Sequence, residues 1–406
     1  MAPRPRSYLA AVLLLGAPFA RSAVQPAAAI RRLDGSRISV AAADSLARQT
    51  LAEHRVAGAQ LAVVVDGRLA WSAAYGLRQQ APDLPMQRTT TTWAASITKA
   101  VFATYVMQLV EQGRFDLDLP VAQQLPQSLD QYAPYHDKAA LLVRDTAWAR
   151  VTPRMLLAHT SGLLNFATLE PDGRMRLHAA PGAGYRYSGE GFNLVQFVVE
   201  QRLGRPLDAL MREALFDPLG MARTGMVFRP EFEADIADRF GAEGQFLAKT
   251  RRNPARGAGS MTSTAEDLAA FAIALLDGRV LKPEARAAML RPYVRIRSLH
   301  QFALGADEGE GAEAAAAGLA YGVGWGLLTR TRFGPAFFKE GHGDGAQTYL
   351  ICFERQRACM VLLTNSDNGE LAFRPLLEGI LGDTVTPWEW EGYTPAYIAA
   401  ARRAGS

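Results

Sequence analysis

A serine and a lysine three residues apart are the first candidates for chemistry in this 406-residue chain. Ser96 and Lys99 lie in the segment Trp93–Ala100, and on a helix their side chains would lie one turn apart on the same face. A serine hydroxyl is a weak nucleophile until a neighbouring base takes its proton, and a partly desolvated lysine can be that base. The start of a helix would also favour a negative charge developing on Ser96. Because Ser-x-x-Lys also occurs by chance, the assignment needs support from the rest of the chain.

A tyrosine and a glycine-rich stretch are candidates for the other parts of such a site. Tyr187 follows the Gly/Pro-rich loop 181–184, which can present a side chain into a cleft. A nearby lysine would lower the pKa of this tyrosine and let it act as a general base. The stretch Gly341–Gly345 precedes a predicted strand, and its glycines would let a substrate approach the backbone closely. The plainer alternatives are a half-buried aromatic residue and a glycine-rich turn.

A rival interpretation of the glycine-rich stretch takes His342 and Asp344 as two ligands of a metal ion. Zinc normally needs a third and a fourth ligand. The other histidines show no spacing that would supply them: His54, His136, His159, His178 and His300. We therefore expect neither a metal nor another cofactor.

The N-terminus has the pattern of an export signal, residues 1–29. Arg4 and Arg6 precede an apolar stretch, Tyr8–Ala20, that is too short to span a bilayer. Small residues follow, so cleavage is expected near Ala29 or, earlier, near Ala23. The alternative is a short membrane anchor. The pattern predicts a periplasmic or secreted protein with no stable membrane anchor after the signal is removed.

The charge of the chain indicates no nucleic-acid partner. Removal of residues 1–29 takes away three arginines and no acidic residue, so the formal net charge falls from +4 to +1. The remaining balance is not the basic footprint of a nucleic-acid-binding protein. A hydrophobic content of 49% and a charged content of 21% are typical of a globular protein, and we expect a small-molecule or short-peptide substrate.

Strand patterns at both ends of the chain enclose a mostly helical middle. Near the start, Val56–Val65 and Arg68–Gly76 flank an Asp-Gly turn, and Ala95–Gln112 reads as one long buried helix. Residues 127–250 show little strand character, and residues 305–318 have the composition of a flexible insertion. The later strands are predicted at Gly322–Thr329, Phe333–Lys339, Gln347–Phe353 and Ala358–Thr364.

This order predicts an α/β fold of the α+β type. One antiparallel sheet, built from both termini (30–90 and 290–406) and flanked by helices, would carry a mostly helical inserted lobe (91–289). Ser96 would then lie where the two lobes meet, a common place for a ligand cleft. The last two strands form a hairpin that sets Cys352 opposite Cys359, either as a disulfide or as two free buried thiols.

The candidate residues belong to an ordered series of motifs. The series comprises Asp66-Gly67, Ser96-Ile97-Thr98-Lys99, Leu117–Pro120, Leu156–Leu163, Tyr187-Ser188, Met261–Leu268, Tyr321–Trp325 and the His342 stretch. In this series of motifs, the chain between about residues 40 and 380 resembles the serine β-lactamase and penicillin-binding-protein-like family. The resemblance implies a β-lactamase/transpeptidase-like fold. The branch it resembles holds class C β-lactamases, D-stereospecific peptidases and family VIII esterases.

The resemblance implies a role for each of the first three candidates. Ser96 would be the nucleophile that becomes acylated, and Lys99 would keep it ready for attack. Tyr187 would be the base for attack and the acid for the leaving group. The motif His159–Gly162 is interpreted as structural, a helix end and turn that shapes the helical lobe.

The resemblance also assigns the glycine-rich stretch to substrate binding. His342 would take the place of the family's third-motif lysine, followed by Gly343, Asp344 and Gly345 at the substrate. Counting along the strand, the backbone N–H groups of Ser96 and Gly345 would form the oxyanion hole.

Two departures from the family pattern bear on the substrate. The family's tyrosine motif usually carries asparagine two residues on, where this chain has Gly189, and the third motif is usually Lys-Thr-Gly. A neutral histidine binds a carboxylate less well than lysine does, and Asp344 adds negative charge. Both changes favour an esterase or an aminopeptidase-like or amidase-like hydrolase with a less anionic substrate over a dedicated β-lactamase or a carboxypeptidase. We expect an exported serine hydrolase of esters or amides, and D-amino-acid peptides and β-lactams are substrate classes to test. The alternatives are a catalytically silent penicillin- or cell-wall-fragment-binding protein and a metallohydrolase.

Overall fold

The structure is a computed structural model that describes residues 28–302 and 309–404. The predicted signal peptide lies outside these residues except for its last two. The strands are Ala29–Arg31 (β1), Arg37–Ser39 (β2), Gly58–Val65 (β3), Arg68–Gln80 (β4), Asp83–Pro85 (β5), Thr92–Trp93 (β6), Asp238–Phe240 (β7), Phe246–Lys249 (β8), Thr262–Ser263 (β9), Val294–Arg295 (β10), Leu319–Tyr321 (β11), Gly326–Leu328 (β12), Ala336–Gly343 (β13), Ala346–Phe353 (β14) and Ala358–Thr364 (β15). The α-helices are Val40–Glu53 (α1), Ile97–Glu111 (α2), Val121–Gln124 (α3), Pro153–Leu157 (α4), Gly189–Leu203 (α5), Leu207–Met211 (α6), Ala265–Leu276 (α7), Pro283–Met289 (α8), Ala312–Ala317 (α9), Gly369–Leu376 (α10), Trp388–Glu391 (α11) and Pro395–Ala404 (α12). Over the described ranges, none of these helices is both long and apolar enough to cross a bilayer.

A nine-stranded antiparallel sheet joins the two ends of the chain. Its strand order is β10-β11-β12-β13-β14-β15-β3-β4-β5, so the last strand in sequence, β15, pairs with β3. In that pair Leu362 lies opposite Leu61, and all the pairings along the sheet are antiparallel. The fold class predicted from the sequence, one antiparallel sheet built from both termini with flanking helices and a helical insertion, is confirmed.

Helices cover both faces of this sheet, which explains why its central strands are mostly apolar. In β3, Ala62 and Val64 pack into the core shared with α2 and α7, whereas Leu61 and Val63 pack into the core shared with α1 and α10. Alternate side chains of a strand point to opposite faces, so a strand buried on both faces favours apolar residues at successive positions.

Helix α2 is buried on nearly all sides between the sheet and the helical region. Its buried residues run from Ile97 to Leu109 with only one half-buried position, Gln108. A helix that is apolar all round fits only inside a core. The helix therefore places its first residues, and Ser96 in front of them, at a fixed point beside the edge of β13.

The cysteine hairpin has the predicted register. Cys352 on β14 lies opposite Cys359 on β15, with a turn at residues 354–357. The two sulfur atoms are joined as a disulfide, and the Cα atoms are 4.1 Å apart.

Residues 127–250, predicted to have little strand character, contain one short hairpin, β7–β8. Two other expectations about local structure were wrong. Part of the predicted flexible insertion, Ala312–Ala317, is helix α9, packed against β11 and α11. The predicted strand Phe333–Lys339 begins later and continues to Gly343, because its glycines still pair with β14.

Candidate active site

Ser96 lies at the first turn of α2, immediately after a strained backbone position. Ala95 has a φ of +44°, a conformation that costs a residue with a Cβ atom free energy and is often found at functional turns. Short strand β6 leads into this turn and pairs with β9, and Ala94 N–H donates to the Met261 carbonyl. The turn leaves Ser96 half-buried and accessible from a cavity.

Lys99 is buried under Ser96 and contacts its hydroxyl. The Lys99 Nζ atom lies 2.8 Å from Ser96 Oγ and 2.6 Å from the Ala258 carbonyl oxygen. Burial lowers the pKa of Lys99 well below its usual value, and the charge of Lys339 lowers it further, against the opposing charge of Glu340. A buried amine with this environment favours its neutral form, which can accept a proton.

A second buried lysine, Lys339 on β13, faces the same site and was not predicted from the sequence. Its Nζ atom lies 3.3 Å from the Tyr187 hydroxyl, and it forms an ion pair with the neighbouring Glu340. Both side chains of this ion pair are fully buried. Burial by itself lowers the pKa of Lys339, but the Glu340 carboxylate and Tyr187 reverse this, and the pKa is raised overall.

The pKa values of the two lysines therefore shift in opposite directions, that of Lys99 downward and that of Lys339 upward. Lys339 has a carboxylate partner and keeps its charge, whereas Lys99 has serine and carbonyl oxygens and favours the neutral amine. Neighbouring groups whose environments separate their pKa values in this way are typical of catalytic sites.

Tyr187 lies between the two lysines, and its pKa differs from the sequence-based expectation. Lys99 Nζ and Lys339 Nζ each lie 5.0 Å from the centre of its ring. Burial raises the pKa of Tyr187, and the charge of Lys339 and hydrogen bonds from Ser96 and Lys339 only partly oppose this effect. The expected lowering is thus corrected: the pKa of Tyr187 is raised, which favours the protonated phenol, because its side chain is buried.

His159 supports Tyr187 from behind. Its ring stacks on the Tyr187 ring at a centroid distance of 4.3 Å, and its Nδ1 accepts a hydrogen bond from Ser188 N–H. Burial, and then the charges of Lys339 and Lys99, lower the pKa of His159 well below its usual value. This neutral imidazole fixes the position of the tyrosine.

The open edge of β13 lies beside Ser96. Strand β12 pairs with β13 only as far as Phe338, so residues 339–343 have a partner strand on one side alone. The Glu340 carbonyl accepts a hydrogen bond from Lys339 Nζ and therefore points to the open side of β13. Because alternate residues of a strand direct their backbone groups to the same side, the N–H group of His342 also points to the open side. At Gly341 an added Cβ would lie 2.9 Å from Ser96 N, so this edge approaches the serine closely.

Gly345 does not have the position predicted for it. Its N–H donates to Asp367 Oδ1 at 2.5 Å, and it lies in the β13–β14 turn against Arg239 and Phe240. The expected position followed from placing the basic residue of the third motif at His342, whereas Lys339, three residues earlier, is the one at Tyr187. The backbone N–H beside Ser96 on the open edge belongs to His342.

The remaining predicted residues of this stretch also need correction. His342 lines the Ser96 cavity, but its ring nitrogens lie 2.5 Å from Glu370 Oε1 and 3.2 Å from Gln301 Oε1. The basic residue beside Tyr187 is Lys339. Gly343 provides room for Trp93, whose ring an added Cβ would overlap. Asp344 is exposed in the turn, where its carbonyl accepts from Arg239.

A cavity of about 260 Å³ opens above Ser96, and several of the residues that line it do not belong to the sequence motifs. Arg252 and Arg256 line one side, and the Arg252 guanidinium lies 4.0 Å from the centre of the Trp93 ring. Asn165 lines the wall near Tyr187 and accepts a hydrogen bond from Gly189 N–H. An added Cβ at Gly189 would lie 2.6 Å from the Phe166 ring, so Asn165 and Phe166 fill the space beside this glycine.

No group of three or more His, Cys, Asp or Glu side chains within the described residues has an arrangement that could hold a metal ion. His342 and Asp344 in particular do not converge, because their side chains lie at the end of β13 and in the following turn.

Replacing Gly341 with alanine is expected to lower kcat/KM for a neutral nitrophenyl ester about 100-fold, because the methyl group would push β13 away from Ser96 N. The steric strain should also lower the free energy of unfolding by about 1–3 kcal/mol, measured by urea denaturation. Gly311→Ala is the matched control, since nothing lies within 4 Å of its added Cβ. Full activity in Gly341→Ala would contradict this close approach.

Comparisons with known proteins bear on the family and the fold of the chain. A family model described as Beta-lactamase matches residues 43–381. Esterase EstB of Burkholderia gladioli is 30% identical over 227 residues, a match that covers 48% of this chain and only about half, 55%, of EstB. Penicillin-binding protein 4 of Amycolatopsis lactamdurans is 28% identical over 365 residues, covering 82% of this chain and 86% of that protein. A solved penicillin-binding protein homologue from Pyrococcus abyssi has a TM-score of 0.69 at 20% identity, covering 87% of this chain and 80% of the other, which shows the shared fold.

Proposed function

Because the chain belongs to the beta-lactamase family, we propose that it is a serine hydrolase that cleaves an ester or amide through an acyl-enzyme on Ser96. The observation that carries this proposal is the 2.8 Å contact between Ser96 Oγ and a buried Lys99 amine whose pKa is lowered by burial. The names of the relatives, an esterase and a penicillin-binding protein, give the range of carbonyl substrates to test.

Acylation follows from the proton positions. The neutral Lys99 amine takes the proton from Ser96 Oγ as the oxygen attacks the substrate carbonyl. The oxyanion that forms is stabilised by the N–H groups of Ser96 and His342, which border the cavity from α2 and from the open edge of β13.

Tyr187 and Lys339 act on the leaving group. When the tetrahedral intermediate collapses, the bond to the leaving group breaks and the Tyr187 phenol supplies its proton. The Lys339 ammonium, 3.3 Å from the phenol oxygen, stabilises the phenolate that remains. Tyr187 then takes a proton from the water that attacks the acyl-enzyme, and the proton on Lys99 returns to Ser96 as the acid is released.

We expect Lys339→Met to move both limbs of the pH profile of kcat/KM to higher pH. The Lys339 charge lowers the pKa of both Lys99 and Tyr187, so its removal raises both. The reaction needs neutral Lys99 and protonated Tyr187, hence the acidic limb and the alkaline limb shift in the same direction. At neutral pH we expect kcat/KM to fall about 10- to 100-fold.

The comparison for this variant is Lys282→Met, which changes an exposed lysine at the start of α8 and should leave the profile unchanged. A shift of either limb to lower pH would contradict the proposed roles of the two lysines.

A second candidate, suggested by the likeness to penicillin-binding protein 4, is a protein that is acylated but hardly turns over. Assaying the protein against a short-chain nitrophenyl ester, a chromogenic cephalosporin and a D-alanyl dipeptide distinguishes the two. Steady turnover of any of the three supports a hydrolase, whereas one burst equivalent to the enzyme concentration supports the second candidate. Activity should survive a chelator; its loss would instead favour a metallohydrolase.

We also propose that the enzyme acts outside the cytoplasm. The sequence of residues 1–29, with its basic start, short apolar stretch and small residues, supports this placement. Fractionation of cells that express the full chain, with mass spectrometry of its N-terminus, tests it: a processed N-terminus near Ala23 or Ala29 is expected.

A further inference from the structure

The Ser96 cavity has a positively charged wall without a compensating carboxylate. Arg252 and Arg256 line it, and no aspartate or glutamate is among the described residues of its lining. Neither guanidinium group forms a hydrogen bond or an ion pair within the part of the chain that the structure describes, whereas the neighbouring Arg251 pairs with Glu233. The proposed mechanism uses neither Arg252 nor Arg256. Unpaired cations that line a substrate cavity attract an anionic group.

Arg252 is held in place against an aromatic ring. Its guanidinium carbon lies 4.0 Å from the centre of the Trp93 ring, and the Trp93 indole N–H donates to a backbone carbonyl at 2.6 Å. Burial lowers the pKa of Arg252, and the charges of Arg239 and Arg256 lower it further. The charge of Asp344 opposes this effect only in part. Because an arginine keeps its proton at neutral pH, an anion beside Arg252 would stabilise a charge that its surroundings disfavour.

Strand β13 shows at which end of the cleft Arg252 lies. Three alternate residues of its open edge share one face, at intervals of about 6–7 Å. The Tyr187 hydroxyl lies beside the side chain of the first, Ser96 N beside the second and the Trp93 ring beside the third, in the order 339, 341 and 343. Tyr187 and Trp93 therefore lie at opposite ends of this edge with Ser96 between them, and Arg252 belongs to the Trp93 end.

This order separates the two parts of a substrate. In the proposed mechanism Tyr187 protonates the leaving group, so the leaving group lies at the Tyr187 end. The acyl part, which stays on Ser96, then extends the other way, towards Trp93 and Arg252. The sequence-based expectation of a less anionic substrate concerned the C-terminal carboxylate of a carboxypeptidase substrate, which belongs to the leaving group rather than to the acyl part.

We propose that Arg252, with Arg256 on the same wall, binds a carboxylate at the far end of the substrate's acyl group. The inference rests on the proposed hydrolase function and narrows its substrates to esters or amides whose acyl part carries a negative charge. A guanidinium group presents parallel N–H donors that match the two oxygens of a carboxylate. Its stacking on Trp93 fixes the plane in which those donors lie.

Three nitrophenyl esters with the same six-carbon acyl chain test this proposal: the hexanoate, the adipate monoester and the ω-aminohexanoate. In an extended adipyl group the free carboxylate carbon lies about 6 Å from the acyl carbon, close to the spacing of alternate strand residues. We expect kcat/KM for the adipate monoester to be about tenfold above that for the hexanoate, and that for the ω-aminohexanoate to be lowest. The preference should shrink as the ionic strength is raised to about 1 M.

Substitution of Arg252 tests whether it causes the preference. Arg252→Gln should lower the ratio of kcat/KM for adipate monoester over hexanoate to about two or less, and adding Arg256→Gln should bring it to about one. Arg252→Met, which keeps an unbranched side chain against Trp93, is the second variant if Arg252→Gln does not fold. Arg251→Gln is the matched control, because this exposed residue pairs with Glu233 outside the cavity lining, and it should keep the ratio.

A carboxylate on the leaving group tests the orientation. Phenyl acetate and carboxyphenyl acetate differ only in this group, so the ratio of their kcat/KM values should be the same in Arg252→Gln as in the unmodified enzyme. An equal effect of Arg252→Gln on both pairs of esters would overturn the assignment to the acyl part. A structural role of Arg252 would lower kcat/KM for hexanoate and adipate monoester alike, and an unchanged ratio would likewise overturn the proposal.

Binding without turnover separates this inference from the hydrolase function. In calorimetric titration, the Ser96→Ala protein should bind monomethyl adipate more tightly than methyl hexanoate, and Arg252→Gln should remove the difference. An enzyme that cleaves the hexanoate ester without preferring the adipate monoester would contradict the carboxylate site and leave the hydrolase function intact. A protein that cleaves none of the esters, yet binds monomethyl adipate through Arg252, would contradict the hydrolase function and support the site.

Discussion

Replacing Ser96 with alanine is expected to lower kcat/KM for a nitrophenyl ester on the order of 10⁵-fold, leaving only the contribution of substrate binding and the oxyanion hole. The loss should be this large because the neighbouring groups act on the Ser96 oxygen, so their effects disappear with it. Lys99 Nζ, 2.8 Å away, would have no proton to take. Steady-state hydrolysis by the purified protein measures the effect.

A surface serine provides the control for this substitution. Ser128 is exposed, and its side chain makes no capping hydrogen bond to the short helical turn that follows it. Ser128→Ala should keep full activity. If Ser96→Ala retained more than about one hundredth of the activity, a mechanism through this nucleophile would be untenable.

Lys99→Met is expected to lower kcat/KM about 10³- to 10⁴-fold, the usual range for removal of a general base. Methionine fills much of the same buried volume, so the protein should fold, but it cannot accept the Ser96 proton. Because Lys99 lies 1% exposed in the core, circular dichroism must accompany the rate measurement.

Arginine at the same position separates charge from basicity. Lys99→Arg keeps a cation but cannot lose its proton near neutral pH, so it should be as inactive as Lys99→Met if the neutral amine is the base. An active Lys99→Arg enzyme would show that the lysine acts by its charge alone. Lys282→Met again serves as the surface control.

The sheet could be predicted because its signals are local. The predicted strands Gln347–Phe353 and Ala358–Thr364 differ from β14 and β15 by at most one residue, since apolar runs around a short polar turn leave few alternatives. The helix predicted at Ala95–Gln112 is Ile97–Glu111 in the structure, because it is apolar on all sides and ends before glycine. Elements with weaker patterns, such as β7 and β8, were missed.

Lys339 could not be recognised from the motif alone. His342, three residues later, was predicted to be the basic residue of the third motif, and Lys339 was predicted only as the end of a strand. Two features could have identified it: a lysine within an apolar strand is rarely buried without a role, and Lys339 and Gly341 share one face of β13 with the spacing Lys-x-Gly.

Arg252 and Arg256 could not have been found in this way. They lie in an irregular segment, and only the tertiary structure brings them to the Ser96 cavity. Their residue type is common on any surface, so no spacing along the chain indicates a shared site.

Mass spectrometry of the acid-quenched protein, within seconds of mixing with a nitrophenyl ester or a cephalosporin, tests whether Ser96 is the acylated nucleophile. We expect the protein to gain the mass of one acyl group, and a digest to locate that group on the peptide with Ser96. The Ser96→Ala protein should gain none. An acyl group on another residue, or the same adduct in Ser96→Ala, would show that Ser96 is not the nucleophile.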